Sequence, residues 1–220
     1  LVIDLEKCRD EFNKGSVDFS FEIAQSDKSR QFQIPQKLYG RKAELQKLKS
    51  YFENAQHGSV EFCLVSGYSG VGKSVLILEL GRSVVKKGGY LINGKFEQYR
   101  QNSAYVALAH AFRDLIRQLL GEPKSSLDIW NEKIFKALGS NAQLIIDLIP
   151  ELELIIGPQP PVQELPPAEA QNRFLILFLN FVKIFASEKH PLVIFMDDLQ
   201  WSDVPTLNLI QRLVTTHELS

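Results

Sequence analysis

An apolar run, a glycine-rich octapeptide and an amphipathic run follow one another between residues 60 and 80. The octapeptide at 67–74, Gly-Tyr-Ser-Gly-Val-Gly-Lys-Ser, is a complete match to the pattern G-x-x-x-x-G-K-[ST]. Each fixed position has its own physical job. Gly67 and Gly72 permit backbone angles and a close approach that a Cβ would forbid. Successive N–H groups along Tyr68, Ser69, Gly70 and Val71, and on to Val75, can then turn inward toward an anion. Lys73 brings a point charge to the terminal phosphates of a nucleotide, and the Ser74 hydroxyl is a ligand for Mg2+. Residues 60–65, Val-Glu-Phe-Cys-Leu-Val, read as a buried strand entering the loop. Residues 74–80 read as the helix whose N-terminus faces the anion. Strand, loop and helix in that order predict one unit of a parallel α/β sheet.

Bulk properties narrow the field. With 220 residues, 45% of them apolar and 23% charged, the chain reads as one globular domain or a domain with an appendage. A net charge of −1 gives no electrostatic footprint for nucleic acid or an anionic membrane. The most apolar run, 174–186, is interrupted by Asn180 and Lys183 and is too short to span a bilayer, so membrane insertion is not expected. Cys8 and Cys63 are too few for a disulfide framework or a zinc site. Cys63 is expected to be a small buried hydrophobe within its strand, and a reducing cytoplasm is the simplest compartment. His57, His110, His190 and His217 show no metal-ligand spacing and read as surface or satisfied core positions. The first residue is Leu1 rather than Met, which reads as a segment of something longer.

Two regions follow from the pattern along the chain. Residues 1–33 read as a linker, with a short amphipathic helix at 1–12 and a polar stretch at 25–31. Residues 34–220 carry the domain, with a helical and proline-rich insertion at about 121–167. Apolar residues at helical spacing predict helices over 42–54, 104–120, 127–138, 142–148 and 168–187. In the last of these, Phe174, Leu177, Phe178, Phe181, Val182 and Phe185 form one stripe, expected to be core. Gly88 and Gly89 break the chain before a short strand at 90–92, and 191–196 is a fully apolar strand. Six prolines between Pro150 and Pro167 exclude regular helix or central strand there. Ser202 or Asp203 caps a final helix that tolerates Pro205 in its first turn. The expected architecture is a three-layer sandwich with a mainly parallel sheet.

A glycine loop alone implies binding; hydrolysis also needs a metal ligand and a group to orient water. The strand at 191–196 runs directly into Asp197 and Asp198. In a parallel sheet, ligands sit beyond the carboxyl ends of the strands, which brings this pair to the same edge as 67–74. Asp197 then reads as a holder of Mg2+ and Asp198 as the group that polarises the attacking water. The bland alternative is a strand-ending turn with two solvated carboxylates. Arg41, following a turn glycine, has two readings: a nucleotide neighbour or a surface arginine. Trp201 reads as packing.

These residues together resemble a STAND-class signalling ATPase of the AAA-related branch, often described as an origin-recognition-type AAA ATPase domain. The resemblance is carried by 38–45 (Leu-Tyr-Gly-Arg-Lys-Ala-Glu-Leu), by 67–74, and by 192–203, which ends Asp-Asp-Leu-Gln-Trp-Ser-Asp. Segments 89–96, 137–141 and 150–161 are similar to the ATPase module of large multidomain kinases common in cyanobacteria. In those, a serine/threonine kinase precedes the module; helical repeats, a GAF sensor and often a histidine kinase follow. The resemblance covers about 30–215. It implies ATP and Mg2+ as cofactors, flanking kinase and sensor domains as partners, 38–41 on the adenine side, and slow hydrolysis serving as a timer for a switch. The family continues, after the helix that follows the acidic pair, into a further strand with a polar sensor residue and a helical lid; this chain ends at Ser220. A truncated domain with exposed strand edges is therefore expected. Two other functions compete: a DNA-handling ATPase, for which no basic face is present, and a non-catalytic interaction module with a vestigial loop. No H-R-D or D-F-G segment assigns kinase chemistry to these residues.

Overall fold

The computed structural model describes residues 40–98, 104–187 and 190–215, all within the unit Leu38–Ser220. The expected helix at 1–12 and polar stretch at 25–31 lie outside the described residues, as do Leu38, Tyr39 and His217.

Eight α-helices and two strands are described. They run α1 (Lys42–Gln56), α2 (Lys73–Lys86), β1 (Tyr90–Lys95), α3 (Val106–Leu119), α4 (Lys124–Leu138), α5 (Gln143–Ile146), α6 (Glu153–Ile156), α7 (Pro167–Phe185), β2 (Leu192–Asp197) and α8 (Val204–Thr215). The strands are parallel neighbours, in register from Tyr90 against Leu192 to Lys95 against Asp197. Side chains alternate across them, as a pleat requires. Leu91, Val193 and Phe195 pack against Leu48 and Phe52 of α1 and Leu76, Ile77, Leu80 and Val84 of α2. Tyr90, Ile92, Leu192, Ile194 and Met196 face the larger core formed by α3, α4, α7 and α8. Helices therefore cover both faces of a two-stranded sheet.

The strand expected at 60–65 does not form, and this corrects the sequence reading. The sheet among the described residues is the β1–β2 pair alone. A strand is a shared structure, and without a ladder partner an apolar run has no backbone hydrogen bonds to gain from extension. Phe62 is 57% and Leu64 68% exposed, and Cys63 is exposed rather than buried. Val65 alone of the run packs against the α1–α2 core.

The expected helices are present, with their ends moved by a few residues. At the start of α8 the choice of cap resolves to Asp203: its Oδ1 accepts the Thr206 backbone N–H at 2.7 Å, and Pro205 sits in the first turn. The proline-dense stretch holds more than expected, a 3₁₀ turn at Pro150–Leu152 and the single turn α6, before α7 begins at Pro167. In the larger core, Phe112 of α3 meets Phe178, Phe181 and Phe185 of α7 at centroid separations of 5.5, 5.3 and 6.0 Å. All four rings are buried, and each contributes about 1.5–3 kcal/mol by leaving water. Gly94 lets α3 approach the sheet, because a Cβ there would strike the Ala107 carbonyl.

Candidate nucleotide site

The loop ends where α2 begins. Gly72 is its N-cap, in the left-handed region at φ 93°, which accounts for a glycine at this position. Lys73 and Ser74 are thus the first two residues of a fourteen-residue helix, whose unpaired N–H groups and dipole favour an anion. The Val71 N–H donates to the Tyr68 carbonyl at 3.3 Å, folding the loop's tip. Lys73 is turned back on its own loop: Nζ donates to the carbonyls of Gly67 at 2.8 Å and Tyr68 at 3.1 Å. Tyr68 is 92% exposed and Ser69 and Gly70 are also exposed. Arg41 caps α1 and reaches the loop, with one guanidinium nitrogen donating to the Val71 carbonyl at 3.4 Å and the other pairing with Glu44 at 3.1 Å. Arg41 thus lies at the flank of the loop with its side chain exposed to solvent. The Glu44 carboxyl is held below its usual value, chiefly by a backbone hydrogen bond and further by Arg41.

The path of α2 fixes where its N-terminus lies. Its last turn closes through Gly89 N–H to the Val84 carbonyl at 3.0 Å, and β1 starts at Tyr90. Leu91 lies against Gly81. Helix and strand therefore run back to back in opposite senses, each about 20 Å long. The start of α2 comes to the edge where β1 and β2 end.

At that edge β2 finishes in Asp197 and the chain turns sharply. Asp198 is left-handed at φ 57° and ψ 43°, and its N–H donates to Asp197 Oδ1 at 2.9 Å. Both carboxylates are half-buried. Asp198 Oδ1 accepts from Gln200 Nε2 at 3.2 Å, and Oδ2 lies 3.5 Å from Lys95 Nζ. Asp197 Oδ2 keeps no hydrogen-bond partner among the described residues. Trp201 lies half-buried in the 3₁₀ turn that follows.

Sequence reasoning missed Lys95. The signal was available, a basic residue ending the strand next to the acidic one, but only the pairing register makes the two strand ends neighbours. Among the described residues no hydrogen bond or ion pair joins the glycine loop to the acidic pair, so two groups of side chains share one edge without touching.

Magnesium keeps several waters and is bound through one or two carboxylates together with substrate phosphates rather than in an all-protein cage. The residues fit that pattern. No cluster of three or more histidine, cysteine or acidic side chains is poised for a metal among the described residues. The Ser74 hydroxyl at the start of α2 and the Asp197 carboxylate at the end of β2 are oxygens of the kind such a metal would use.

A glycine loop heading a helix, beside a parallel strand pair of which β2 runs into two adjacent carboxylates, defines a nucleotide-binding class of P-loop type. Within that class the chain belongs to the AAA ATPase domain family, which it matches over residues 37–220. It is 36% identical to hybrid signal transduction histidine kinase G of Dictyostelium discoideum over 84% of this chain and 5% of that one. It is 22% identical to histidine protein kinase 1 of Candida albicans over 80% of this chain, and 23% identical to the peroxide stress-activated histidine kinase mak3 of Schizosaccharomyces pombe over 71%. The chain spans 8% of the length of each of those two. No solved structure matches. Among the described residues no helix is long and apolar enough to cross a membrane.

Proposed function

We propose that this domain is an ATP-binding, slowly hydrolysing switch of the STAND type, working inside a multidomain signal-transduction kinase in a reducing cytoplasm. The observation that carries the reading is the common edge: Lys73 and Ser74 open α2 where β2 delivers Asp197 and Asp198. ATP phosphates would lie on the loop's N–H groups, Lys73 leaving its carbonyl partners to meet them, with Arg41 at the loop's flank. Ser74 and Asp197 would hold Mg2+, which supplies charge neutralisation across the β- and γ-phosphate oxygens. Asp198 would orient the attacking water. Retention or loss of the γ-phosphate would then set how flanking kinase and sensor domains are held.

A second reading, a non-catalytic interaction module, is favoured by the exposed apolar run at 60–64 and by Lys73 occupying its own loop. Titration calorimetry with Mg-ATP on the chain and on Lys73→Ala separates the two. The switch reading expects micromolar binding, weakened about ten- to a hundred-fold in the variant by loss of a charge-assisted bond. Equal heats from both proteins would rule it out.

A further inference from the structure

Two adjacent carboxylates at one strand end repel each other unless a cation stands near. That cation is supplied by the neighbouring strand. Lys95 is the last residue of β1, in register with Asp197, and its ammonium lies 3.5 Å from Asp198 Oδ2. The two side chains are 68% and 36% exposed, so the pair sits open at the edge where nucleotide is read to bind. Asp198 is turned toward this partner by its left-handed backbone, with its other oxygen occupied by Gln200.

We propose that Lys95 is the resident counter-ion of the acidic pair, standing in for the divalent cation while the site is free of metal and yielding when Mg2+ arrives with nucleotide. The proposal rests on the nucleotide-site reading above. Its physical content is charge compensation. Without metal, an ATP phosphate chain approaching the loop meets Asp197 and Asp198, whose field is offset by the Lys95 ammonium beside Asp198. With metal, Mg2+ offsets it directly and the lysine is surplus. Lys95 is thus a positioning residue rather than a catalytic one, and its effect belongs to the metal-free state.

That asymmetry makes the test a binding measurement independent of turnover. A fluorescent N-methylanthraniloyl ATP is titrated into the chain, Lys95→Met, Lys95→Arg and Lys73→Ala, once with EDTA and once with excess Mg2+. In Lys95→Met the metal-free affinity is expected to fall about two- to five-fold, the range for an exposed pair. Its Mg2+-loaded affinity should match wild type. Lys95→Arg should restore the metal-free value, and raising the salt should shrink the difference because the pair is solvent-screened.

Equal losses with and without metal would overturn the proposal, since they would make Lys95 a direct nucleotide contact or a fold requirement. No change in either condition would overturn it as well. If wild type and Lys73→Ala bind alike with Mg2+, the nucleotide-site reading itself has failed, an outcome distinct from both.

Discussion

Single side chains here do their work through position in a charge pattern, and Glu151 is the clearest case away from the loop. Its carboxylate accepts from Arg113 Nε at 3.0 Å and Arg117 at 2.8 Å, with 18% of the side chain exposed. Burial on its own would raise the carboxyl. A backbone hydrogen bond and the two guanidiniums outweigh that and hold it below the usual 4.5. A carboxyl depressed by folding adds stability that is present above its unfolded value and lost as pH falls through the folded one. The effect therefore belongs to the acid limb, below about pH 4.5. Glu151→Gln is expected to cost roughly 1–2 kcal/mol at neutral pH. It should also flatten the loss of stability between pH 5 and 3, read from urea midpoints across that range. At this scale the helix start behind Gly72 was legible in advance, because a glycine ahead of an amphipathic run is a local signal. Lys95 was not, because its task depends on a residue about a hundred positions away that only strand pairing brings close.

Elements are held at their ends by a few polar contacts. Thr206 is fully buried and joins two helix starts: its hydroxyl accepts the Tyr105 N–H at 3.0 Å and donates to Asp203 Oδ2 at 2.7 Å. Tyr105 precedes α3 in a left-handed conformation at φ 65°, unusual for an aromatic residue, and its ring lies 4.6 Å from Phe174 of α7. Burial, aided by Asp203, raises the Tyr105 hydroxyl above its usual value. Thr206→Val keeps the shape and removes the acceptor, leaving the Tyr105 N–H unpaired. The expected cost is about 1–3 kcal/mol in equilibrium denaturation; an unchanged midpoint would show that the contact carries no weight. The long helices were readable because helical period is a local property: the stripe at 174–185 is the buried face of α7. The run at 60–65 misled because its period describes a strand only when a neighbour exists, and the sequence window cannot see the neighbour. The single turn α6 is too short for a period to declare itself.

At the scale of the whole molecule, the order of elements separates the two strands widely. β1 ends at Lys95 and β2 begins at Leu192, with α3 to α7 between them. Pairing these strands closes a loop of roughly a hundred residues, and that entropy is lost before any ladder bond returns it. The intervening helices gain their contacts from nearer neighbours, Phe112 against α7 and Trp130 stacked on Phe185 at 5.4 Å. Folding is expected to run in that order, helices gathering first and strands meeting last. Pulsed hydrogen exchange should protect the amides of α3 and α7 before those of β1 and β2; simultaneous protection would contradict the order. The proposed site would draw on both ends of this loop, with Lys73 and Lys95 before it and the two aspartates after it. A nascent or partly opened chain can therefore hold a finished glycine loop and no acidic partner, which makes the pairing of two short strands the last event in the birth of the site and the first lost in its decay.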